Sequence, residues 1–383
     1  MRPRALAALA LALALAFALA WAAPLAGLAL AGKPVADYLG FPPRTAQLVP
    51  APFSWAAFAI FALPVLAALA LYAAALARSK PAVPAPNAAR FPWWGWLGVA
   101  ISASAWGAAW TEGFVPVAWR ALVFTLLWLG YMVAMNALAY QRAGSCPLTQ
   151  RTAWFLSLFP LSAAFWWLFE YLNQYVRNWS YAGAGGDSDW DYFLRATLPF
   201  STVLPAVAST WAWLARLPRM DALSLPAVCG SATLAWIALA AGLAALAAIG
   251  LAPDLLFPML WVAPLLVLAG LSHLLTGETV FSPIARGDWR PILQSALAAL
   301  VCGFFWELWN WGSAAKWHYS IPYVQRFPLF EMPLLGYAGY LPFGIECALV
   351  VDLAARIIER RPAWPLSRSA PEPAAQNQER TAR

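Results

Sequence analysis

AWFLSLFPLSAAFWWLFEYLNQYVRNWSY, residues 153–181, is the stretch on which the fold turns. Its first part, 153–175, is one apolar run, and a helix needs ~20 mostly apolar residues to cross a bilayer. Lipid offers no partner for backbone polar groups, so a run of this kind must be helical. It carries a carboxylate near one end, Glu170, and an amide three residues on, Asn173. Trp179-Ser180-Tyr181 follow in the next loop.

Outward from this run, nine further stretches read as spans, near 5–31, 53–77, 93–111, 117–140, 195–215, 227–250, 256–275, 291–311 and 336–357. The one at 93–111 is the weakest, being short and rich in Trp and Ser. The first follows Met1-Arg2-Pro3-Arg4 and is well beyond the ~7–15 residues of a signal-peptide core, so it reads as an uncleaved helix. The expected fold class is all-α, a polytopic transmembrane helical bundle of about ten spans.

Composition agrees. Of the 383 residues, 62% are hydrophobic and 11% charged, against about a quarter charged in soluble domains. The 24 Trp suit a long membrane perimeter, where indole rings settle at the interface. With the N-terminus inside, 17 of the 24 basic residues fall on the cytoplasmic side: Arg2, Arg4, Arg78, Lys80, Arg90, Arg142, Arg151, Arg216, Arg219, Arg286, Arg290 and six from Arg356 onward. Lys33, Arg44, Arg120, Arg177, Arg195, Lys316 and Arg326 fall outside. Adding or losing one span would scramble this bias, which follows the positive-inside rule. Both termini are therefore expected in the cytoplasm, and the Arg-over-Lys, Ala-rich composition reads as bacterial, placing the chain in an inner membrane. The net charge of +7 has the same origin. No Lys/Arg stripe interleaves with aromatics, which argues against nucleic acid. Cys146, Cys229, Cys302 and Cys347 form no CxxC pair and read as small apolar filler.

The chain repeats itself at an offset of about 137 residues. Cys146-Pro147-Leu148 with Arg151 matches Ser282-Pro283-Ile284 with Arg286. F-E-Y-L-N at 169–173 matches W-E-L-W-N at 306–310. Trp179-Ser180-Tyr181 matches Trp317-His318-Tyr319, and Leu198-Pro199-Phe200 matches Leu341-Pro342-Phe343. The organisation read from this is two N-terminal helices and a Pro/Ala linker (1–92), a first four-helix unit (93–226), a second (227–361) and a disordered cytoplasmic tail (362–383). An even number of spans per unit makes the units parallel rather than inverted.

The repeated motif carries the chemistry. Glu170 with Asn173, and Glu307 with Asn310, share a helix face at i, i+3. Glu170 lies roughly five residues inside its span, about 8 Å deep at 1.5 Å per residue. A carboxylate at that depth is expensive unless paired or protonated, and is a candidate for function by default. Such a group can serve as general acid or base. The bland alternative is interhelical hydrogen-bond glue. Trp179, Tyr181, Trp317 and Tyr319 either belong to an interfacial belt or roof a pocket and stabilise positive charge through their ring faces. Pro342 is expected to kink the last span and free a carbonyl, with Glu346 near mid-membrane as a third candidate acid. His318 and Glu331 complete the candidate substrate-binding set with Asn173, Asn310 and the four rings. A His318–Glu331 metal site is an alternative for that pair, His273 reads as structural, and the expected site needs no metal or cofactor.

The order acid on a helix, W-x-Y, then G-Y-L-P-F and an acid resembles the membrane lycopene cyclases of the fungal, archaeal and heterodimeric bacterial type. That resemblance rests on Glu307, Trp317, Tyr319, Pro342 and Glu346, and on Glu170, Trp179, Tyr181 and Pro199, and covers some 80 residues. It implies two copies of a short helical domain and acids that protonate and deprotonate a polyene during ring closure, without metal or redox cofactor. Two departures stand out. The family's acids follow its Pro by two and three residues, where this chain has Gly344 and Ile345, and no acid follows Pro199. The expected function is acid–base chemistry on an isoprenoid or other lipid by Glu170, Glu307 and Glu346. A proton- or cation-coupled transporter or channel is the alternative, and a non-catalytic scaffold the third. The expected partners are membrane lipids, and the oligomeric state stays open.

Overall fold

A computed structural model describes residues 3–80, 90–111, 113–116, 119–182, 187–313 and 316–363. The centre of the Pro/Ala linker (81–89) and nearly all of the tail (364–383) lie outside the described residues. The main helices are α1 (Pro3–Leu30), α2 (Trp55–Arg78), α3 (Trp93–Trp110), α4 (Arg120–Ala143), α5 (Thr152–Val176), α6 (Asp189–Phe200), α7 (Val203–Leu214), α8 (Ala232–Ala248), α9 (Met259–Thr276), α10 (Arg290–Gly312) and α11 (Tyr340–Glu359). Every apolar run singled out in the sequence contains helix. Among the described residues six helices are long and apolar enough to cross a membrane: α1 (from Arg4), α2, α4, α5, α9 and α10. This is the all-α bundle the sequence implies.

Small residues let the helices approach. A Cβ on Gly98 of α3 would lie 2.8 Å from the Gly130 carbonyl of α4, and one on Gly130 2.5 Å from the Ser102 hydroxyl. Ser102 in turn donates to the Leu127 carbonyl at 2.9 Å. On α8 and α9, Gly242 and Gly270 face the Ala263 and Ala235 carbonyls at 2.8 and 2.7 Å in the same sense. Close backbone contact of this kind drives helix association in lipid, where apolar burial alone cannot. On α2 the side chains of Ile60, Leu63 and Leu66 are exposed, a surface that suits lipid better than water. The interior is aromatic, with Trp128, Trp154, Trp211, Phe165, Phe169 and Phe343 fully buried.

Four of the ten runs fall outside the six long apolar helices: 93–111 and 227–250 hold single helices, α3 and α8, that do not reach that length or hydropathy, and the other two are built differently. The run 195–215 is broken between α6 and α7, where Pro199 and Pro205 lack amide protons. Ser162 of α5 bridges the break, donating to the Phe200 carbonyl (2.6 Å) and accepting from the Leu204 amide (3.0 Å). The run 336–357 opens with a 3-10 segment (Leu334–Gly339) before α11. Pro342 therefore sits in the first turn of α11, where an amide proton would be unpaired anyway, so it costs that helix no hydrogen bond. Glu346 is correspondingly shallower within its helix than the run length suggested.

The two W-x-Y segments are strands β1 (Trp179–Tyr181) and β2 (Trp317–Tyr319), paired antiparallel with Trp179 opposite Tyr319 and Tyr181 opposite Trp317. The ladder is lengthened by Ala182 N–H to the Lys316 carbonyl and Ser320 N–H to the Asn178 carbonyl, both 2.8 Å. The loop between α1 and α2 lies over the same end of the molecule. Its Tyr38 stacks on Tyr175 at 4.5 Å, and its Leu48 carbonyl accepts from Ser320.

Candidate functional site

The two motif helices, α5 and α10, end beside the β1–β2 ladder. Asn173 and Asn310 explain why each chain turns there as it does. The Asn173 Oδ1 accepts from the Asn178 amide (2.8 Å), and its Nδ2 donates to the Trp179 carbonyl (2.8 Å) and to Thr45 Oγ1 (3.2 Å). Asn310 accepts from the Trp317 amide and donates to the Trp317 carbonyl, both at 2.9 Å. Each amide thus clasps the start of the strand that follows its helix, pairing backbone groups there that would otherwise be buried without partners. Both are fully buried, and neither is among the residues that line the cavity described below.

The carboxylates are set one turn back. Glu170 is 2% exposed, and its Oε1 accepts three donors: Trp166 Nε1 (2.9 Å), Trp179 Nε1 (3.0 Å) and the Tyr181 hydroxyl (2.6 Å). Glu307 is fully buried, and its Oε1 accepts from the hydroxyls of Tyr319 (2.7 Å) and Tyr340 (2.8 Å). Trp317 Nε1 donates to the Tyr319 hydroxyl at 2.7 Å, so it reaches Glu307 through Tyr319. Glu307 Oε2 is buried with no hydrogen-bond partner among the described residues. The motif helices differ four residues before the acid, where α5 has Trp166 and α10 has Gly303. The space at Gly303 is filled by Tyr340, whose ring would stand 2.4 Å from a Cβ there.

These donors surround one cavity of about 310 Å³. Trp166, Trp179 and Tyr181 line it from one motif, and Trp317, Tyr319 and Tyr340 from the other. Trp261 and Trp306 add further ring faces, with Trp261 stacked on Trp179 at 5.7 Å and Trp306 on Tyr340 at 5.9 Å. The carboxylates do not themselves line the wall; their tyrosine and tryptophan donors stand between them and the space. Arg120, Arg195, Lys316 and Asp187 are the charged lining residues.

The other sequence candidates fall elsewhere. Glu346 is buried, has an Oε2 without a partner among the described residues, and is not part of the lining. His318 and Glu331 lie outside the lining, 3.5 Å apart, and Glu331 pairs with Lys316 at 2.5 Å. Four ring contributors went unread in the sequence: Trp166, Trp261, Trp306 and Tyr340. Trp166 had a signal, since it lies four residues before Glu170 on the same helix face. Tyr340 and Trp261 reach the site from other helices, and no spacing encodes that. No protein-family model, curated protein or solved structure matches this chain.

Proposed function

We propose that the chain is a ten-span inner-membrane protein with both termini in the cytoplasm, built of two N-terminal helices and two parallel four-helix units. Between the units it carries out acid–base chemistry on an isoprenoid or similar unsaturated lipid, in the manner of the lycopene cyclases it resembles. One observation carries this reading: the donors of Glu170 and of Glu307 line the same aromatic-walled cavity.

In this reading one carboxyl acts as acid and the other as base. A proton passes from the acid, through a tyrosine hydroxyl at the wall, to a substrate double bond. The resulting carbocation is stabilised by the faces of Trp166, Trp179, Trp261 and Trp306. Loss of a proton towards the second carboxylate leaves an isomer or ring-closed product, with no net redox change. Asn173 and Asn310 position the strands and take no part in the transfer, and Glu346 takes no step.

The test is Glu307→Gln, which keeps the two acceptor bonds from Tyr319 and Tyr340 but removes the titratable group. Lipid and pigment profiles of cells expressing the wild-type chain should contain a product missing from cells expressing the variant at equal membrane abundance. Identical profiles would count against the enzyme reading.

A further inference from the structure

The cavity wall is not uniformly apolar. Arg120, the first residue of α4, and Arg195 of α6 line it together with Lys316, which immediately precedes β2. Asp187 is the one acid among the lining residues. Arg195 is paired with Asp187, and Lys316 with Glu331. Arg120 makes no ion pair among the described residues. Its neighbours on the wall are Ala121 and Phe124, and the remaining lining is dominated by rings. The cavity therefore joins an aromatic wall to three cationic side chains, from α4, α6 and the residue before β2.

Arg195 and Lys316 already have acidic partners, so among the described residues Arg120 is the lining cation left to meet an anionic ligand, and a partly buried charge gains from such a partner. Guanidinium groups suit phosphate and carboxylate best, because they offer parallel charge-assisted hydrogen bonds. The volume, about 310 Å³, is near the lower end for ligand pockets, roughly 300–1,000 Å³. A space of that size suits one chain and a compact head better than the two tails of a phospholipid.

We infer that the cavity binds a single-chain amphiphile headed by an anionic group, phosphate or carboxylate, with Arg120 and Arg195 holding the head and the aromatic wall the chain. This rests on the reading of the cavity as a lipid-substrate site and names the class of substrate it takes.

The full-length protein in phosphatidylcholine nanodiscs is titrated with radiolabelled farnesyl phosphate and radiolabelled farnesol, with empty discs subtracted. Farnesyl phosphate should bind at least tenfold more tightly than farnesol. Arg120→Gln should cut that preference several-fold and leave farnesol binding unchanged, and Arg120→Gln/Arg195→Gln should abolish it. Dodecyl phosphate, as competitor, separates recognition of the head from recognition of a prenyl chain. Displacement by it shows that the head carries the affinity, as inferred. Equal affinity for the alcohol and the phosphate, or a preference indifferent to Arg120→Gln, overturns the inference while the apolar site stands. If neither ligand binds, the proposed lipid site fails as well. Displacement of farnesyl phosphate by disc-incorporated phosphatidylglycerol as efficiently as by dodecyl phosphate overturns the single-chain assignment.

Discussion

Glu170 and Glu307 meet one requirement, a buried carboxylate held by ring hydroxyls and indoles, with different donor sets. Trp166 on the motif helix serves Glu170, whereas Tyr340 arrives from α11 to serve Glu307 across the space left by Gly303. The glycine is thus a packing requirement for the second site. Gly303→Ala places a Cβ against the Tyr340 ring, and overpacking of this sort costs about 1–3 kcal/mol. In a Tyr340→Ala background the same change should be neutral or slightly stabilising, because Ala favours helix over Gly by up to about 1 kcal/mol. Thermal unfolding of the four proteins of this cycle in detergent measures the coupling; purely additive effects would disprove the contact. At this scale the sequence disclosed the acids and the W-x-Y rings, which lie near each acid along the chain. It hid Tyr340, because a glycine's meaning depends on what fills its empty side.

At the scale of elements, the break between α6 and α7 decides how Phe200 and Val203 come to line the cavity. Hydropathy alone reads 195–215 as one span, since averaging over a run is blind to a missing hydrogen bond. The two prolines, Pro199 and Pro205, were the only local sign, and Ser162, which repairs the break, is some 40 residues away in sequence. Ser162→Ala strands a buried carbonyl and a buried amide, and a buried group left unsatisfied costs about 1–3 kcal/mol. Ser157→Ala is the control: its hydroxyl bonds only the Trp154 carbonyl of its own helix, and its loss should fall within about 0.5 kcal/mol. Melting temperatures of the purified variants decide it, and equal, small shifts would show that the serine bridge contributes nothing. The same scale accounts for Pro342. Its motif matches Pro199, yet a 3-10 segment precedes it, so it starts a helix where its counterpart ends one.

At the scale of the whole molecule, the β1–β2 ladder is the feature that makes one site of two motifs. It joins the loop after α5 to the loop after α10, so both motif helices end on the same side. If α6–α7 together, α8 and α9 each cross once, the chain returns to start α10 on the opposite side, as the parallel two-unit reading requires. The apolar runs and their charge bias were legible in the sequence because each is a local property. The pairing of Trp179 with Tyr319 was not, since two similar loops can equally well lie apart. Crosslinking tests the pairing directly. Ser180 and His318 are opposite each other in the register, and directly opposed antiparallel residues have Cα atoms about 4.5–5.5 Å apart, within the range a disulfide spans. Ser180→Cys/His318→Cys, made with exposed Cys229 replaced, should oxidise to an intramolecular bond. A protease site inserted in the loop 216–226 then separates the halves only after reduction, as read on a non-reducing gel. Each single-cysteine variant should fall apart without reductant. Free separation of the double variant under oxidising conditions would break the shared ladder, and with it the single cavity on which the acid–base reading depends.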